Sequence, residues 1–232
     1  MKKVFLVICV LSFLVTTPAF GHKLITHDDS HRSFDTALVI PDHKISWAIY
    51  ENLEKDGAKF YSFEAKEGDS FYASIVIPKI QGLEDYSPAM ILVYPGPMNN
   101  EEVVYGDQIQ SEKFLYEGSL PGREFYEPFG QVTYWERQEL KLTIPLDGKY
   151  YIVVVDEKSQ SGKYSLAVGT IEDFSGIDFF TILPQAWFET KIFANDYFAI
   201  GAFFSILASV GSGITFLVIK KRRRNSPKSI LS

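Results

Sequence analysis

KFYSFEAKEGDSFYASIVIP, Lys59 to Pro78, decides how the rest of the chain is read. FYSFEA (Phe60–Ala65) and FYASIVIP (Phe71–Pro78) are rich in aromatic and β-branched residues, and KEGDS (Lys66–Ser70) between them is a turn signal. The expected order is strand, turn, strand. AMILVYP (Ala89–Pro95) reads as a continuous apolar strand stopped by Gly96-Pro97. LKLTIP (Leu140–Pro145), the Asp147-Gly148 turn and YYIVVVD (Tyr150–Asp156) read as a second hairpin, and SQSGKYSLAVG (Ser159–Gly169) adds a turn and a last strand. Short strands at this spacing predict an all-β fold, an antiparallel β-sandwich. HKISWAIYENLE (His43–Glu54) mixes periods and fits a strand or a short helix.

These motifs, from Ala58 to Gly169, resemble the pre-peptidase C-terminal domain of prokaryotic secreted proteins. The resemblance lies in the Glu67-Gly68-Asp69 turn, the later D-G-x-Y-Y-I-x-V stretch and the closing G-x-Y-x-L. It implies a jelly-roll-like sandwich serving as an accessory binding or stabilising module, here with no peptidase segment beside it. In physical terms, Gly68 and Gly148 supply turn conformations that a Cβ disfavours, and Tyr151, Ile152 and Val154 are expected to feed the core.

The two ends place this domain. Met1-Lys2-Lys3, the apolar run Val4–Val15 and the small residues before His22 have the layout of a secretory signal peptide, 1–21. A polar leader, 22–42, is expected next, then the sandwich ectodomain, 43–175, and a juxtamembrane linker, 176–196. Tyr197–Ile219 holds 23 residues without a charge, enough for one transmembrane α-helix. The basic tail, 220–232, begins with Lys220-Lys221-Arg222-Arg223-Arg224, which the positive-inside rule keeps in the cytoplasm. All 29 acidic residues lie between His22 and Asp196 against 15 basic ones, a net charge near −14 that disfavours nucleic acid as a partner. The lone cysteine, Cys9, leaves with the leader peptide, so disulfides and thiolate chemistry are not expected.

Few residues point to chemistry. There is no Gly-x-Ser-x-Gly, and the four histidines all precede Ile45, so no enzyme is expected. The carboxylate pairs Glu84-Asp85, Glu101-Glu102 and Glu172-Asp173 read as solvated loop faces. Tyr126, Tyr134, Trp135 and Arg137 form an aromatic and charged block with two readings. It is either a binding platform for a protein or extracellular polymer, or a strand whose Trp135 faces the core and whose Arg137 pairs with a carboxylate. His22, His27 and His31 suggest a copper or zinc alternative in which a new amino terminus at His22 supplies ligands; the competing reading is a flexible polar leader. Acidic turns would at most make a weak structural Ca²⁺ site. Gly201, Ser205, Ser209 and Gly213 recur every four residues in the span, a face for homodimerisation or for a partner's helix. The favoured reading is a non-catalytic binding module without cofactor, held at the cell membrane with its N-terminal domain outside.

Overall fold

The computed structural model describes residues 22–95, 109–174 and 178–225. The expected signal peptide, Gly96-Pro97, Glu101-Glu102 and the end of the tail from 226 lie outside the described residues. The chain forms two units, 1–194 and 195–232.

The first unit is a two-sheet β-sandwich. Its strands are β1 (Lys23–Leu24), β2 (Leu38–Val39), β3 (Trp47–Leu53), β4 (Ala58–Ala65), β5 (Ser70–Pro78), β6 (Ala89–Pro95), β7 (Ile109–Phe114), β8 (Glu124–Glu127), β9 (Val132–Thr143), β10 (Gly148–Val155) and β11 (Gly162–Val168). One sheet runs β1-β3-β11-β5-β9-β8 and the other β2-β4-β10-β6-β7. Pairing is antiparallel except for the short β1/β3 and β2/β4 pairs, which are parallel.

Alternation builds the core. Tyr150, Ile152 and Val154 of β10 are buried against Tyr61 and Phe63 of β4, with Phe71, Ile75 and Ile77 of β5 among the same buried set. Tyr150, rather than the expected Tyr151, is the inward residue. Successive side chains alternate faces, and Tyr151 lies outside with its ring 5.0 Å from Phe34. The expected hairpins are also corrected. β4 and β5 lie in different sheets, as do β9 and β10, so both turns carry the chain from one sheet to the other. The two connections bond to each other: the Gly68 amide donates to Ile144 O, the Ile144 amide to Asp69 O, and the Glu67 amide to the Asp147 carboxylate at 2.7 Å.

The stretch expected to be a leader, 22–42, is part of the sandwich. β1 and β2 each extend a sheet, Ile40 is buried in the core, and the Phe60 amide donates to His31 O. Its charged residues mask this in the sequence, because they cover an outer surface while His31 and Ile40 point in. The expected linker is likewise mostly helix α1 (Asp178–Phe193). Ala186, Thr190 and Phe193 fall at i, i+4 and i+7 on one buried face, and Phe193 packs with Val132 and Tyr134.

The second unit is helix α2 (Tyr197–Asn225). Asp196 caps it, its carboxylate accepting from the Ala199 amide at 3.1 Å. Tyr197–Arg222 is long and apolar enough to cross a membrane, with mean hydropathy 2.1. Ser205 and Ser209 donate to the carbonyls of Gly201 and Ser205, both at 2.8 Å, so these hydroxyls are satisfied within the helix.

Candidate functional site

Two places in the sandwich gather polar side chains. The first is a buried cluster around Glu51. On β3 the residues Ile49, Glu51 and Leu53 share the inward parity, so the fold places a carboxylate, 1% exposed, at a core position. Lys59 of β4 is similarly inward and buried, and burial lowers its ammonium pKa. His27 and His31 come from the segment between β1 and β2. His31 Nε2 lies 2.5 Å from Glu51 Oε1, and His27 Nε2 lies 3.2 Å from the same oxygen. Lys59 Nζ is 3.3 Å from Glu51 Oε2 and also contacts the Asp29 carboxylate. The Tyr61 hydroxyl donates to Glu51 Oε1 at 3.3 Å. A buried carboxylate without such partners would cost several kcal/mol.

His22, expected beside His27 and His31, is not in this group. Its Nδ1 is 2.6 Å from Ser46 Oγ, and β1 directs it to the opposite side of the sheet. Glu51 takes the third position instead. Sequence reasoning missed it because the period of His43–Glu54 was ambiguous; once that stretch is a strand, a Glu between Ile49 and Leu53 is the signal. His43 is also separate, bonding Glu64 O at 3.2 Å and lying near Asp69.

The second place is a cleft of about 290 Å³ on the outer face of the six-stranded sheet, beside α1. Tyr50, Phe125, Glu127, Phe129, Tyr134 and Thr190 are among its lining residues. The Tyr50 and Thr190 hydroxyls bond at 2.8 Å, and Thr190 donates onward to Ala186 O. The Glu127 carboxylate accepts from the Phe129 and Gly130 amides at 2.7 and 2.5 Å, while burial raises its pKa. Tyr126, on edge strand β8, is 56% exposed and Phe125 is 40% exposed.

The aromatic block therefore divides. Tyr134 lines the cleft, and Tyr126 stands at the sheet edge. Trp135 belongs to the core between the sheets. Among the described residues, no carboxylate forms a salt bridge with Arg137. Its guanidinium donates to the carbonyls of Tyr86 at 2.9 Å, Glu84 at 3.1 Å, Pro121 at 2.5 Å and Glu136 at 3.1 Å, fastening two loops. A bulge explains the departure from simple alternation: Ser74 faces Glu139 and Val76 faces Glu136, so Arg137 and Gln138 together oppose Ile75.

The molecule is thus a β-sandwich followed by one helix of membrane-crossing length. No protein-family model matches the chain, and no curated protein does. Among solved structures, a periplasmic inhibitor of g-type lysozyme from Aeromonas hydrophila is 16% identical, covering 57% of this chain and 96% of its own, with a TM-score of 0.32. The pre-peptidase C-terminal domain of a Bacillus anthracis collagenase is 14% identical, covering 56% and 91%, at 0.30. A Yersinia pseudotuberculosis mitogen is 11% identical, covering 60% and 94%, at 0.34. At these TM-scores the similarities bear on neither activity nor partner.

Proposed function

We propose that this chain is a membrane-anchored, outward-facing β-sandwich that binds a protein or extracellular polymer without catalysing a reaction. The observation that carries this reading is the cleft beside α1, with Phe125 and Tyr126 exposed along the adjoining edge strand. Aromatic side chains there offer contact area at low entropic cost, and an edge strand offers unpaired backbone groups. The apolar α2 helix is the anchor, and the basic residues at its end favour a cytoplasmic tail with the acidic domain outside. The small-residue face of Gly201, Ser205, Ser209 and Gly213 is a second contact surface, within the membrane.

The test places a photo-crosslinking residue at Tyr126 of the full chain in its native membrane, and a control at exposed Glu64 on the other sheet. A discrete adduct from position 126 alone is expected. Equal adducts from both positions, or none from a monodisperse monomer in mild detergent, overturn the proposal.

A further inference from the structure

We infer that His27, His31 and Glu51 form a binding site for a zinc ion. Their ligand atoms all lie within 4.8 Å of one another. Two imidazole nitrogens and one carboxylate oxygen are a set that zinc accepts in four-coordinate sites, leaving one position for water or a further ligand. Nitrogen donors make the set unsuited to Ca²⁺.

The spacing is close to what such an ion needs. Tetrahedral zinc with bonds of about 2.0–2.2 Å sets its ligands roughly 3.3 Å apart. The separation of His27 Nε2 from Glu51 Oε1 is 3.2 Å, while His31 Nε2 and Glu51 Oε1, at 2.5 Å, must move apart. The ion takes the place of that hydrogen bond. Binding also requires His27 to move its proton from Nε2 to Nδ1, giving up both the 3.2 Å hydrogen bond from Nε2 to Tyr50 O and the long 3.3 Å one that Nδ1 accepts from the Asp29 amide.

The surroundings support the same donors. Lys59 engages Glu51 through Oε2, leaving Oε1 directed at the histidines, and Asp29 offsets the Lys59 charge. His31 and Glu51 close the inner side, whereas the partly exposed His27 gives a route from solvent. This site is independent of the cleft beside α1, so its outcome does not depend on whether that cleft binds a partner.

The experiment strips the detergent-solubilised full chain with a chelator, adds Zn²⁺ alone and measures bound zinc and thermal midpoint after gel filtration. About one zinc per chain and a raised midpoint are expected. His27→Ala should weaken affinity by at least about tenfold and abolish the midpoint rise; the partly exposed side chain makes this the deciding variant, since Glu51 is buried in the core. His22→Ala should bind as the unaltered chain does. Absence of stoichiometric zinc, undiminished binding by a folded His27→Ala, or loss on His22→Ala would each overturn the site.

Discussion

Tyr61 and Tyr164, one from each sheet, share a 2.7 Å hydrogen bond between their hydroxyls at the centre of the sandwich. Both are wholly buried, and Tyr61 also reaches Glu51. The bond fastens the two sheets and links the core to the buried polar cluster. Tyr61→Phe strands the Tyr164 hydroxyl in an apolar interior and should cost roughly 1–3 kcal/mol. Denaturant unfolding of both single variants and the double variant checks this. The double should lose less than the two singles together, because removing both hydroxyls leaves no orphan between them.

Arg137 donates to four backbone carbonyls, those of Glu84, Tyr86, Pro121 and Glu136. Replacing it with Met removes all four hydrogen bonds, for a loss of about 2–4 kcal/mol. In a domain of this size that lowers the melting midpoint by roughly 5–15 °C. Arg137→Lys should recover only part of the loss, since an ammonium cannot reach carbonyls from both loops at once. Thermal melts of the two variants measure the difference.

The legible part of this fold is the part that alternates. Strands β4, β5, β10 and β11 can be read directly, because residues such as Ile152 and Val154 repeat every second position within a single sheet face. The destination of a turn cannot be read in the same way: an Asp-Gly pair serves a hairpin or a crossing between sheets equally well, and long-range pairing decides. His27 and His31 were visible as residue types, but their partner Glu51 was hidden in a stretch of mixed period. Helix α1 was hidden by aromatic residues on both its faces, which blur its buried stripe of Ala186, Thr190 and Phe193.

Two glycines test the turn argument against the packing argument. Gly68 and Gly169 both have positive φ, 87° and 76°. A Cβ on Gly68 meets nothing within 4 Å, whereas one on Gly169 would lie 2.1 Å from Ile45 O. Gly68→Ala should therefore cost only the conformational strain, roughly 1–2 kcal/mol. Gly169→Ala adds a backbone clash and should cost roughly 3–5 kcal/mol in the same unfolding assay.

Alkaline unfolding should report Tyr86. Burial, aided by the Asp156 carboxylate, pushes its phenol well above the ordinary value of about 10, and burial also raises Tyr134. Above pH 10 the unfolded chain releases protons that the folded chain retains, so stability is full below that pH and falls as pH rises. Each such group contributes a slope of about 1.4 kcal/mol per pH unit. Tyr86→Phe should leave stability at pH 7 nearly unchanged, because the Tyr86 hydroxyl has no hydrogen-bond partner among the described residues, and should reduce the slope above pH 10. An unchanged slope would place the alkaline sensitivity elsewhere.

Phe193 closes helix α1 onto the sheet. Its ring stacks on Tyr50 at 4.5 Å and 13°, and its carbonyl accepts from Lys163 Nζ at 2.9 Å. Phe193→Ala keeps the carbonyl bond but removes the stack and the contacts with Val132 and Tyr134, a loss of about 3 kcal/mol. The loss falls on the helix and not on the core between the sheets, to which Phe193 makes no contribution. Hydrogen exchange should therefore quicken at the amides of α1 while those of β10 keep their protection. Equal acceleration in both would mean that the helix and the sandwich unfold as one cooperative unit, and the cleft beside α1 could then not open without unfolding the domain.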